Sequence, residues 1–342
     1  MMLALAGPAL SWWCSASSLA WSWTWRPYLG VWLFVVALVA GYRWLLRRAG
    51  PGPGPEPGPE GGAAGPQGGG VGEGEGDGGR DLELTPASRA QLALQAAATT
   101  TGIGAGAEDG TAGRLKVASY LAGVLVLWVA SDWPVGTLGS GYLLTVHTLQ
   151  YVLYCLVAPP LLLWGIPRGV VLAAREGAPR IWRVMRWAAH PLLALLVFNA
   201  VMLGSHTPAV IDGLRTTQLG SFAVDMAWMV GGLVLWWPVL APPEVSRLSH
   251  PLKMGYLFLS TVLPTVPSAF MVFSDFPIYA LYELAPRVNH ITAMDDQLVA
   301  GITMKVLGDV IMWGSMLVVA IRWTRHDAAL DRLEKEPRDA VA

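Results

Sequence analysis

His147 and His206, together with Met202, Met226 and Met304, are the residues of this chain whose types suit coordination chemistry. Imidazole nitrogen combined with thioether sulfur selects Cu(I), whereas calcium and magnesium require an oxygen cage and structural zinc takes thiolates. Copper is therefore the ion this set favours. Each residue also has a plainer role. Most of the twelve methionines suit flexible packing in an apolar bundle, and a histidine at a helix end is commonly a hydrogen-bonded interfacial group. Cys14 and Cys155 form no CxxC pattern, and with the first placed outside the membrane and the second inside a span, no disulfide is expected.

Helical spacing groups these residues with polar neighbours. His147, Gln150, Tyr151 and Tyr154 share one helix face, and Met202 and His206 are an i, i+4 pair. Asp225 and Met229 share a face with Phe222, while Met226 sits one residue further round. Gln297, Gly301, Met304 and Gly308 form a narrow strip whose glycines admit a close neighbouring helix. Gln150, Tyr151, Asp225, Asp296 and Gln297 are expected to orient the ligands from behind. Lys305 and Asp309 are spaced to pair within a span, as a structural ion pair or as part of a proton or substrate pathway. Asp132, ahead of Trp133 and Pro134, is expected to cap or turn a helix end.

The elements that must position these groups are membrane spans. Hydrophobic residues make up 54% of the 342 and charged residues 14%, against about a quarter charged in soluble domains. Seven runs are long and apolar enough to cross, near Tyr28–Leu46, Val117–Trp133, Tyr142–Gly165, Ala188–Leu203, Phe222–Leu240, Met254–Phe273 and Gln297–Ile321. The expected fold is an all-α integral membrane bundle of about seven transmembrane helices. A Trp-rich arm, residues 1–27, precedes the first helix at 28–48, and its Trp12, Trp13, Trp21, Trp23 and Trp25 suit the headgroup region. Residues 49–113, rich in Gly and Pro, read as a disordered linker, with Leu82–Ala98 as a possible short surface helix. A six-helix region at 114–323 and a charged tail at 324–342 complete the chain.

Charge sets an orientation. Nineteen Lys and Arg fall on one side of this topology and three, Arg26, Arg215 and Arg287, on the other. The positive-inside rule then places the N-terminus outside and the C-terminus in the cytoplasm, with His147, His206, Asp225, Asp296 and Gln297 all toward the outer face. The dispersed basic residues form no stripe of the kind that binds nucleic acid.

The run HTLQYVLYCLVAPPLLLWGIP, the SHTPAVIDGL segment, the GGLVLWWPVL run and the DDQLVAGITM opening, in that order, resemble the CtaG-like family of cytochrome c oxidase assembly factors. The resemblance covers about Tyr28 to Arg322, with residues 49–113 as an insertion. It implies a non-enzymatic, multi-pass protein of a bacterial-type cell membrane that helps mature a terminal oxidase, with copper supply as the usual proposal. Its partners are then oxidase subunits or another copper chaperone, within the lipid bilayer. The family commonly carries a second histidine where this chain has Tyr151, and a His-rich turn where it has Phe222, Asp225 and Met226. The set left for copper is His147, His206 and Met226, with Met202 and Met304 as further sulfur donors.

Two other classes fit parts of the pattern. A transporter would use helix breaks such as Pro159-Pro160 or Pro264 with Pro267, although the two halves show no internal repeat. A membrane cytochrome would use His147 and His206 as axial haem ligands. Hydrolytic chemistry is disfavoured, since neither HExxH nor G-x-S-x-G occurs.

Overall fold

The computed structural model describes residues 11–49 and 111–339, apart from Arg247 and Asn289. The Gly/Pro-rich linker and the expected helix at Leu82–Ala98 lie outside the described residues, which form helices and no strand. In order these are α1 (Leu29–Ala49), α2 (Thr111–Ser131), α3 (Val135–Gly141), α4 (Leu144–Val152), a π-helical turn (Leu153–Val157), α5 (Ala158–Trp164), α6 (Arg168–Gly177) and α7 (Pro179–Ala188). The second half comprises α8 (Pro191–Ser205), α9 (Pro208–Leu214), α10 (Gln218–Leu240), α11 (His250–Val262), α12 (Thr265–Phe273), α13 (Ala280–Glu283) and α14 (Ala293–Asp339). Helices α7, α8, α9 and α11 each open with a proline in the first turn, where a missing N–H leaves no bond unmade.

Among the described residues, six segments are long and apolar enough to cross a membrane: α1, α2, α4 through α5, α10, α11 with α12, and α14. Helices α7 and α8, bent by 80° where they meet, bring the count to seven if taken as one span. Alone, α8 has 15 residues and reaches only about 22 Å, short of a hydrocarbon core. The sequence placed the third crossing from Tyr142, but Tyr142 and Leu143 form a corner between α3 and α4. It also read residues 168–186 as a basic loop, whereas they form α6 and α7. Thr111–Gly113, assigned to the linker, make the first turn of α2, and α14 continues through most of the expected tail.

The central crossing is broken by chemistry that the neighbouring helix repairs. Pro159 and Pro160 have no N–H to return to the preceding turn, and the helix widens to a π turn just ahead of them. The Cys155 carbonyl left over accepts a hydrogen bond from Trp236 Nε1 on α10 at 3.1 Å. Gly232 makes the approach possible, because a Cβ there would lie 2.5 Å from that carbonyl oxygen and 2.7 Å from the Pro159 ring. Trp237 donates in turn to the Met185 carbonyl at the end of α7, at 2.7 Å. The WWP run thus clamps two helices to α10.

The arm ahead of α1 corrects one expectation. Trp23 and Trp25 are exposed, as headgroup anchors would be, but Trp13 and Cys14 are buried. The Trp13 ring meets Phe222 and Phe34 edge-on, and its Nε1 donates to Asp225 Oδ2 at 2.8 Å. A large ring whose one polar atom is satisfied inside the protein gains more from burial than from a headgroup position. Ala16 N also donates to the Arg215 carbonyl at 2.9 Å, and Trp12 N to Gln218 Oε1 at 2.8 Å, so this segment is laced over the start of α10. Both cysteines are free thiols.

Candidate functional site

The helix that carries His147 is started by a residue far along the chain. Leu143, ahead of α4, supplies no side-chain cap. Asp296, in the first turn of α14, accepts from the Leu144 N–H at 2.6 Å and the Thr145 N–H at 3.1 Å. Thr145 Oγ1 donates back to the Asp296 carbonyl at 3.0 Å. A carboxylate there satisfies two orphan donors and suits the positive end of the helix dipole. Its neighbour Gln297 accepts from Ile278 N at 2.7 Å and donates to the Met271 and Phe276 carbonyls, pinning the connection between α12 and α13. Asp296→Ala is expected to lower stability by about 1 kcal/mol, with Asp296→Asn retaining most of it. Unfolding of the purified protein followed by tryptophan fluorescence measures this, and equal midpoints for wild type and Asp296→Ala would refute the cap.

So oriented, α4 points His147 into the bundle, where it is 0% exposed. His206 caps the C-terminus of α8, 5% exposed, with its ring centroid 6.1 Å from that of His147. His206 Nδ1 lies 2.8 Å from the Met202 carbonyl. A carbonyl only accepts, so Nδ1 carries the proton and Nε2 presents its lone pair. That Nε2 is buried without a hydrogen-bond partner, and the ring nitrogens of His147 make no bond of normal geometry, although the Gly139 carbonyl lies close to that ring. Buried polar atoms are nearly always satisfied, so three such imidazole nitrogens in one place require an explanation.

Aromatic rings enclose the pair. Trp228 on α10 lies 5.0 Å from His147 and 6.1 Å from His206, and its Nε1 donates to Ser205 Oγ at 2.8 Å. Tyr151 meets His206 edge-on at 4.9 Å, and Tyr282 stands 5.6 Å from His147 while its hydroxyl donates to the Gly139 carbonyl. The Tyr279 hydroxyl donates to the His206 carbonyl at 2.8 Å. Beneath Trp228 lies a buried cation. Arg215, 1% exposed after α9, places its guanidinium carbon 4.7 Å from the Trp228 ring centroid and pairs with Asp225 at 2.9 Å.

Not every residue singled out from the sequence reaches this cluster. Met202 is buried beside His206 and bonds it through its backbone. Met304 lines a cavity of about 20 Å³, room for about one water, together with Tyr151, Lys305 and Asp309. Gln150 donates to the Ala130 carbonyl at 2.7 Å and tethers α4 to α2. Asp225 is occupied by Arg215 and Trp13. Met226 is two residues from Trp228, about 200° around the helix, and packs both against the arm cluster of Trp13, Cys14, Tyr28 and Val31 and against the edge of the main core. Lys305 and Asp309 do pair, at 3.0 Å, with Thr265 Oγ1 accepting a further bond from the lysine at 2.9 Å. Asp132 turns the end of α2: it accepts from Trp133 N at 2.9 Å, and its carbonyl from Gly136 N at 2.7 Å. Burial raises its carboxyl above the usual range, tempered by the bond from the Trp133 N–H.

Sequence reasoning missed Arg215, Trp228, Tyr279 and Tyr282. For Trp228 the available signal was its place one turn beyond Asp225 on the same face. Among the described residues, no three or more His, Cys, Asp or Glu side chains come together as a metal-binding group.

These features define an all-helical, multi-pass membrane protein with a buried imidazole pair, an aromatic enclosure and a neutralised guanidinium at one end of the bundle. The sequence model of the family described as cytochrome c oxidase caa3 assembly factor (Caa3_CtaG) matches residues 101–326. The chain belongs to that family, whose members assist assembly of the oxidase. No curated protein and no solved structure matches it.

Proposed function

We propose that this protein serves cytochrome c oxidase assembly by holding Cu(I) between His147 and His206 on the outer side of a bacterial cell membrane and passing it to an oxidase subunit or a copper chaperone. The observation that supports this reading is the pair of neighbouring, edge-to-face imidazoles with three nitrogens that make no hydrogen bond of normal geometry. Two imidazoles sharing one ion through bonds of about 2 Å have centroids about 6 Å apart, close to the 6.1 Å spacing. The donor chemistry also fits, because Cu(I) accepts low coordination by neutral nitrogen and benefits from apolar surroundings that exclude water. Met226 takes no part in this version of the site. The copper is cargo, and the residues of this chain hold it: Met202 fixes the His206 tautomer, and Asp296 aims the helix bearing His147.

Haem ligation fits the surroundings less well. Trp228, within 5.0 Å of one imidazole and 6.1 Å of the other, fills the side that a porphyrin plane requires. Deleting the gene is the direct test of the cellular role. Oxidase activity and oxidase-bound copper should both fall while subunit transcripts persist, and a fully metallated oxidase in the deletion strain would reject the proposal.

A further inference from the structure

At the other end of α8 from His206 lies a second site of different chemistry. A cavity of about 650 Å³ opens at the elbow between α7 and α8, lined by Arg175, Trp182, Arg186, His190, Glu244 and Ser246. The acidic side chain here is already engaged. Burial acts to raise the Glu244 carboxyl, but the hydrogen bond from Arg168 overrides it and holds the group below its usual range. Arg175 and Arg186 are exposed and have no carboxylate partner among the described residues. The cavity therefore offers two unneutralised guanidiniums and an imidazole above a floor of Trp182 packed on Val171, Trp237 and Val245.

We propose that this cavity binds the phosphate of an anionic phospholipid. A basic pocket between membrane helices suits such a headgroup, and arginine forks match its phosphate oxygens. Two features favour a lipid over a free anion. Trp182, Val245, Leu248 and Leu252 add apolar surface beside the arginines, which suits glycerol and upper acyl carbons as well as a phosphate. Helix α7, turned by 80° from α8, exposes Ile181, Val184 and Trp187 on one side and Arg180 and Arg183 beside them, the pattern of a helix lying in the interface plane. The site is about 22 Å from His206 along α8 and is independent of any metal there.

The test uses the full-length protein, stripped of lipid in a neutral detergent and titrated with phosphatidylglycerol, phosphatidylcholine or sodium phosphate, with binding read by native mass spectrometry. Wild type should retain phosphatidylglycerol about tenfold more tightly than phosphatidylcholine, and Arg175→Gln with Arg186→Gln should remove that preference. Arg175→Lys with Arg186→Lys should keep it, as should Arg180→Gln with Arg183→Gln, which alters charges of α7 outside the cavity. Equal preference in wild type and the cavity glutamine variant overturns the proposal. Millimolar phosphate that displaces the lipid with the same arginine dependence also overturns it, by identifying a general anion site.

Discussion

Arg215→Met is expected to destabilise the protein by about 3–5 kcal/mol, a larger loss than any other single change considered above. Asp225 is buried in the same cluster, and without the guanidinium its charge has only the Trp13 indole for support. Removing both charges is a different matter. Replacing a buried ion pair by apolar groups of similar size is often neutral or stabilising, so Arg215→Met with Asp225→Leu should recover most of the loss. Denaturation midpoints of the two variants against wild type measure this, and an Arg215→Met protein as stable as wild type would contradict it. The double variant also separates two roles. If it folds, its Cu(I) affinity reports whether the neutralised pair beside Trp228 matters to the imidazoles beyond holding the bundle together.

Loss of either imidazole is expected to weaken Cu(I) binding by about 100-fold or more, and His147→Ala with His206→Ala should be little worse than the single changes. A two-nitrogen site does not survive as half a site, so the effects are not additive. Competition against a colorimetric Cu(I) chelator reads the affinity, with Met226→Leu as the companion variant. Unchanged binding in Met226→Leu and lost binding in the histidine variants is the expected pattern. Binding indifferent to both histidines would instead favour a scaffold that brings oxidase subunits together without touching the metal. Asp296→Ala should weaken binding less than either histidine change, because it loosens the start of α4 while both histidines remain.

What could be read from the sequence divides along physical lines. The crossings were legible because hydrophobicity over some twenty residues is a strong signal, and the clustering of His147, His206, Asp225 and Asp296 followed from counting crossings. The elbow at Ala189–His190 was not, since a bend leaves both flanking runs apolar. Arg215 was counted as a loop charge because a lone arginine in a short connection ordinarily faces solvent. The carboxylate it finds ten residues later, with the Trp228 ring beside it, makes its burial tolerable. Trp13 misled for a related reason. An indole suits headgroups and a buried hydrogen bond equally well, and the residue that decides between them, Asp225, lies on another helix. Asp296 was expected to orient a ligand; what the structure shows is that it starts the helix carrying His147, a role that no spacing within α14 could reveal.

The bond from Trp236 to the Cys155 carbonyl also bears on how the chain is made. The segment containing Pro159 and Pro160 leaves the ribosome before α10 does, and until Trp236 arrives a carbonyl stands open in a medium that offers no water to satisfy it. The first half is therefore expected to carry this unpaired carbonyl after insertion until translation delivers the WWP run. A chain stopped between α8 and α10 should be a preferred substrate for membrane quality-control proteases, and completion of α10 is the step that closes that window.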